Sequence, residues 1–75
     1  MRKLYEIAEE IRKDWKKPYF GAVPYLYAMG TLSSIVDSYY YDSAKSIVLY
    51  FLANAGTWRG DVARRVKAEL KSMVK

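Results

Sequence analysis

The sequence predicts an all-α protein, a compact bundle of about four short helices in a single domain of 75 residues. Three observations support this prediction. Apolar residues recur at spacings of three and four in segments 2–17 and 57–75, which places them on one stripe of a helix. The strongly apolar segment 44–55 has no second strand-like segment to pair with. Proline and glycine stand between these segments, where helices end, so we expect packed helices with short connections.

The first predicted helix covers residues 2–17. Its acidic side chains precede its basic ones, an order that complements the helix dipole. Pro18 should end it, because the residue before a proline is disfavoured in the helical region. The apolar stripe consists of Leu4, Ile7, Ala8, Ile11 and Trp15.

The second helix is predicted to begin at Pro24, whose missing N–H costs nothing in a first turn, and to run to about Val36. Gly30 either weakens this helix by roughly 0.5 to 1 kcal/mol relative to alanine or lets another helix approach closely. Residues 37–43, DSYYYDS, are expected to form a loop.

The third segment, AKSIVLYFLANA at residues 44–55, has the β-branched and aromatic content of a buried strand. Its length, its alanines and the possible N-cap at Asp42 or Ser43 favour a helix instead. Since it is apolar nearly all round, we expect it to be the central element that the other helices cover.

The last helix should follow at once, with Gly56 in the left-handed position after the third helix and Thr57 as the next cap. Its predicted buried stripe is Val62, Val66, Leu70 and Met73. At 100° per residue, the opposite side carries a basic row within roughly 80°. This row, expected to face solvent, is Arg64, Lys67, Lys71 and Lys75.

The composition argues against catalysis. The chain has no cysteine and no histidine, which removes disulfides, the usual zinc ligands and the commonest nucleophile and base. Four carboxylates of the first helix are expected on its outer face, where nothing would raise their pKa. These are Glu6, Glu9, Glu10 and Asp14. We therefore expect no enzyme activity, cofactor, metal or small-molecule substrate.

The formal net charge of +5 is unevenly distributed. Lys16 and Lys17 add two positive charges, residues 18–56 sum to −1, and residues 57–75 sum to +4. No apolar run approaches the ~20 residues that a membrane-spanning helix needs. Because the N-terminus also lacks a signal-peptide core, we expect a soluble cytoplasmic protein without a membrane partner.

The charge distribution makes nucleic acid one possible partner. Its phosphates would be contacted by Lys16, Lys17, Arg64, Lys67, Lys71 and Lys75. The last helix has no asparagine or glutamine for adenine edges, so such binding should be sequence-tolerant. A helix-turn-helix made from the third and fourth helices is poorly supported, because the third is too apolar to cross a backbone. The alternative is that the basic row is simply a solvated helix face.

Aromatic residues suggest a protein-binding surface as the other possibility. Tyr39, Tyr40 and Tyr41 are consecutive and cannot all point inward, and exposed tyrosines near an arginine are typical of binding hot spots. Trp58 either packs beneath the third helix or stands with Arg59 as a surface anchor. Trp15, by contrast, falls on the apolar stripe of the first helix and is expected in the core.

Two stretches resemble a group of short proteins encoded in bacteriophage and prophage genomes. They are DWKKPYFGAVPYLYAM at residues 14–29 and YDSAKSIVLYFLANAGTWRGDVARRVKAELK at residues 41–71. The resemblance implies an accessory protein that acts in the bacterial cytoplasm, and it implies no catalytic residue. The leading prediction is therefore a non-enzymatic interaction module for a host or viral protein or for a second copy, with nucleic-acid binding as the alternative.

Overall fold

The computed structural model describes residues 2–39 and 42–75. Within them the helices are α1 (Leu4–Asp14), α2 (Val23–Met29), α3 (Ala44–Ala53) and α4 (Asp61–Met73). Strands β1 (Ser38–Tyr39) and β2 (Asp42–Ser43) form a minimal antiparallel pair before α3, with Ser38 opposite Ser43 and Tyr39 opposite Asp42. The predicted all-α bundle of about four helices is confirmed.

The helices form a ring around one core. α1 packs on α2 and α4, and α3 packs on the same two neighbours, in a body with a radius of gyration of 11.0 Å. Side chains from every helix meet in one buried cluster. Its largest fully buried members are Phe51, Leu4, Ile7, Ile11, Met29, Leu70, Val48 and Val66.

Helix α1 buries the predicted stripe, and Trp15 beyond its end is also in the core. Two N–H groups of its first turn donate to the segment after α2, from Leu4 to the Ser33 carbonyl at 3.1 Å and from Tyr5 to the Leu32 carbonyl at 2.9 Å. The helix ends at Asp14, before the predicted end at residue 17, because the Trp15 backbone leaves the helical region.

Helix α2 begins at Val23 with Pro24 in its first turn, as predicted, but ends at Met29. The predicted extension to Val36 is wrong. Gly30 ends the helix, and the Arg12 guanidinium lies so close that an added Cβ would be 2.9 Å from Nη2. The chain then turns so that Leu32 is buried, while Val36 is 84% exposed.

Helix α3 starts at the predicted cap, since Ser43 Oγ accepts a hydrogen bond from the Ser46 N–H at 3.1 Å. Its buried face is Ala44, Ile47, Val48 and Phe51. The expectation of a helix covered on all sides is wrong, because Leu49 and Tyr50 are each about half exposed. The reason is the ring arrangement, which gives α3 two helical neighbours and leaves its outer side in water.

Helix α4 begins at Asp61 with Gly60 as its N-cap, three residues later than the predicted cap at Thr57. Gly60, with a φ of 113°, occupies the positive-φ region that had been expected at Gly56. The helix starts late because residues 55–58 form a turn, in which the Trp58 N–H donates to the Ala55 carbonyl at 3.1 Å and the Trp58 side chain is buried. The predicted apolar stripe of α4 does face the core, with Val62 only partly buried.

Candidate interaction surfaces

The tyrosine run 39–41 was the first predicted interaction site. The Tyr39 backbone pairs with Asp42 in the short hairpin, whereas Tyr40, Tyr41 and the side chain of Tyr39 lie outside the described residues. The base of this loop is fixed by Asp37, whose carboxylate accepts hydrogen bonds from two backbone N–H groups at 3.0 Å. The tyrosine-loop hypothesis stays a prediction.

Trp58 was the second candidate, as a surface anchor beside Arg59, and the structure corrects this interpretation. The Trp58 side chain belongs to the core and is 2% exposed. Its ring stacks on Trp15 at a centroid distance of 5.8 Å and meets Phe51 edge-on at 6.4 Å. Its indole N–H donates to Asp14 Oδ2 at 2.7 Å. Arg59 remains exposed.

Two of the carboxylates expected on the outer face of α1 bind side chains from distant parts of the chain. Asp14 holds the Trp58 indole, and Glu10 joins an ion-pair network between α1 and α4. In this network Arg2 binds both carboxylate oxygens of Glu69, at 2.6 and 3.1 Å, and lies 2.7 Å from Glu10. Arg65 donates to the other oxygen of Glu10.

These contacts change the acidity of both glutamates. The hydrogen bonds from Arg65 and Arg2 hold the pKa of Glu10 below its usual value. The hydrogen bond from Arg2 does the same for the pKa of Glu69. Since Arg65 is paired in this way, its face of α4 is largely neutral, and the network fastens the N-terminus to the last helix.

The predicted basic row is solvent-exposed at Arg64, Lys71 and Lys75, and Lys75 lies beyond the end of α4. The prediction that Lys67 also faces solvent is wrong. The Lys67 ammonium donates to the Trp58 carbonyl at 2.6 Å and lies 5.8 Å from the centre of the Trp58 ring. Burial lowers the pKa of Lys67, and the positive charges of Lys71 and Arg59 lower it further. Lys67 is therefore held in place and surrounded by like charge.

Basic residues directly follow both of the stacked tryptophans in the sequence. Lys16 and Lys17 follow Trp15, Arg59 follows Trp58, and the two rings are stacked. Lys16, Lys17 and Arg59 are all exposed. We call Arg59, Arg64 and Lys67, which lie close together at the start of α4, the basic end. The sequence had assigned Arg64 and Lys67 to the basic row and Arg59 to a protein anchor, and the structure shows that the three are neighbours.

A shallow pocket of about 290 Å³ lies in the basic end, where α4 starts. It is lined by Trp58, Arg59, Gly60, Ala63, Arg64 and Lys67. The lining contains three cations and no carboxylate. The nearest acidic residue in the sequence, Asp61, points its carboxylate to Arg64 at 3.3 Å, and both of these side chains are exposed. The pocket thus presents a concentrated positive charge.

The structure also shows an exposed apolar surface that the sequence analysis did not predict. Phe20 is 79% exposed and Tyr27 is 63% exposed, and Tyr19 and Val23 each expose nearly half of their area. The rings of Tyr19 and Phe20 lie 4.9 Å apart, and Val23 and Tyr27 are one helical turn apart on the outer side of α2. We call these four residues the aromatic surface.

A signal for this surface was present in the sequence. Residues 18–36 contain no charged side chain, so the outer side of any helix in that segment has to be uncharged. Counted at roughly 200 Å² per large side chain, the aromatic surface exposes about 400 Å² of mainly apolar area. That is the size of the largest apolar patch on a typical monomer, which is often a binding site.

Neither a metal site nor a membrane span is found in the part of the chain that the structure describes. No group of three or more acidic, histidine or cysteine side chains there is arranged to hold a metal ion. No helix among these residues has both the length and the apolar character to cross a bilayer.

No protein-family model, curated protein or solved structure significantly matches this chain. Its class is therefore defined by the fold and its surfaces, as a small helical bundle with an aromatic surface on α2 and a basic end beside α4.

Proposed function

We propose that this chain is a non-enzymatic interaction protein that binds a partner protein through the aromatic surface. The main support is the exposure of Phe20, in the turn before α2, and of Tyr27, on α2, in a segment without charged side chains. At about 25 cal/mol per Å², covering roughly 400 Å² contributes on the order of 10 kcal/mol before the cost of association. Aromatic residues are also the commonest binding hot spots.

The charges around the surface indicate the chemistry of the partner. Lys16 and Lys17 are exposed just before Tyr19, and residues 18–36 offer no carboxylate to balance them. A second copy of this chain would bring two more lysines to the interface, and no carboxylate would neutralise them. A different protein, with an apolar patch bordered by Asp or Glu, would pair with both the rings and the lysines. The resemblance to short phage proteins directs the search for it to a bacterial host.

The test compares partner binding by the wild-type chain with partner binding by a double variant, Phe20→Ser with Tyr27→Ser. Both side chains are exposed, so the variant should fold, which circular dichroism can check. Val36→Ser is the matched control, because Val36 is 84% exposed and lies outside the aromatic surface. We expect the double variant to bind the purified partner at least ~10-fold more weakly in calorimetry, a loss of about 1.4 kcal/mol, while the control binds normally.

Two results would contradict the proposal. One is a folded double variant that binds the partner as tightly as the Val36→Ser control. The other is a wild-type chain that light scattering shows to be a dimer and that the double variant converts to a monomer, since the surface would then be occupied by a second copy.

A further inference from the structure

We infer that the pocket lined by Arg59, Arg64 and Lys67 binds phosphate groups of a nucleic-acid strand, a second activity that is independent of the aromatic surface. The pocket is concave, and three cations surround it without a carboxylate in its lining. A phosphodiester group would bring the missing negative charge to the centre of these side chains.

The position of Lys67 is the main structural argument. Its ammonium group has three N–H donors, and the hydrogen bond to the Trp58 carbonyl uses one of them. That bond and the contact with the Trp58 ring fix the ammonium at the pocket wall, so little side-chain entropy is left to lose on binding. Repulsion from Arg59 and Lys71 raises the free energy of the charged amine, and a bound anion would relieve it.

The surroundings favour a chain of phosphates over a single one. Lys71 lies one turn after Lys67, about 6 Å further along the axis of α4. Lys71 is exposed, and its positive charge helps to lower the pKa of Lys67, so the positive charge continues from the pocket along α4. Such a track matches the repeated charges of a nucleic-acid backbone. Because α4 has neither asparagine nor glutamine, binding should be sequence-tolerant.

The experiment measures binding of labelled oligothymidylate of about 20 nucleotides, and of an RNA strand and a duplex of the same length, between about 20 and 200 mM salt. The pocket variant is Arg59→Ala with Arg64→Ala. The matched control is Lys45→Ala, an exposed lysine at the start of α3. The three probes show which form of the backbone is bound.

For the wild-type chain we expect binding that weakens steeply with salt. Removing two single-strand phosphate contacts should make the slope of log K against log salt about 1.4 less negative and lower the affinity at low salt at least tenfold. Lys67→Met keeps an apolar side chain against the Trp58 ring and removes one charge, so the slope should become about 0.7 less negative. The Lys45→Ala control should match wild type.

Three results would overturn the inference. The first is a wild-type chain that binds none of the probes at the lowest salt. The second is a folded pocket variant whose salt slope equals that of Lys45→Ala. The third is displacement of the oligonucleotide by polyglutamate at equal charge, which would reassign the pocket to acidic proteins.

Discussion

Trp58 joins the end of α1 to α4 through both its side chain and its backbone. Its ring stacks on Trp15, its indole N–H is bound by Asp14, and its backbone carbonyl receives the Lys67 ammonium. A buried indole N–H without an acceptor costs free energy, so Asp14 has a structural role although its own side chain is exposed.

Replacing Asp14 by alanine should therefore lower the free energy of unfolding by on the order of 1 kcal/mol, because the buried indole N–H loses its acceptor. Urea unfolding monitored by tryptophan fluorescence measures this change. Asp14→Asn keeps an acceptor oxygen and serves as the control. Equal stability of the two variants would show that the hydrogen bond contributes nothing.

Gly60 has a backbone conformation that side chains disfavour, with a φ of 113° and a ψ of −178°. An added Cβ would meet nothing within 4 Å, so the cost of Gly60→Ala is conformational and should be about 1 to 3 kcal/mol. Gly56→Ala is the matched control, since that glycine also has open space but no positive φ. Urea midpoints that fall equally for both variants would refute this prediction.

At the scale of elements, α1 and α4 are joined by apolar packing and by the network of Arg2, Glu10, Arg65 and Glu69. The pKa values of both glutamates are lower in the folded chain than the usual value of 4.5. The folded state thus binds protons less readily than the unfolded chain in this range. The resulting stabilisation is complete above the unfolded pKa and is lost as the pH falls through the lowered values.

The variant Glu10→Gln with Glu69→Gln should accordingly lose less stability than wild type as the pH falls from neutral through the lowered pKa values of these glutamates. Near neutral pH it should be less stable, by less than about 1 kcal/mol for each of these partly exposed pairs. The measurement is urea unfolding across the pH series. Glu9→Gln, which removes only an exposed pair with Lys13, should keep the wild-type acid profile. An unchanged profile in the double variant would rule out this role of the network.

At the scale of the whole molecule, charge divides the bundle into two sides. Of its 21 charged residues, ten lie in residues 1–17, eight in residues 59–75 and three between them. The first and last of these segments contain α1 and α4, which are neighbours in the ring, so α2 and α3 form a nearly uncharged side. An aromatic surface on one side and a basic end beside the other can be occupied at the same time.

The two surfaces should therefore be separable by mutation. Phe20→Ser with Tyr27→Ser should lose the partner protein and keep oligonucleotide binding, while Arg59→Ala with Arg64→Ala should do the reverse. Calorimetry with the partner and anisotropy with the oligonucleotide, on the same preparations, give both readouts. Loss of both activities in either folded variant would mean that a single surface serves both ligands.

Much of the fold could be predicted because it depends on local patterns. The stripe of α1 and the Ser43 cap of α3 follow from spacing and from short-range hydrogen bonding, which the sequence determines by itself. The uncharged outer side of α2 was equally present in the sequence, as the absence of charge from residues 18–36. Its exposure, however, depends on which helices cover α2.

Only the tertiary structure decided where α2 ends, where α4 begins and which side chains reach water. In the turn after Gly30, the Leu32 and Ser33 carbonyls accept hydrogen bonds from the first turn of α1. The late start of α4 accompanies the burial of Trp58 against Trp15. Helical periodicity predicts a solvent-facing Lys67, but the contact with Trp58 draws it inward. These outcomes depend on contacts between residues far apart in the chain. The free energy of such contacts cannot be read from a local sequence pattern.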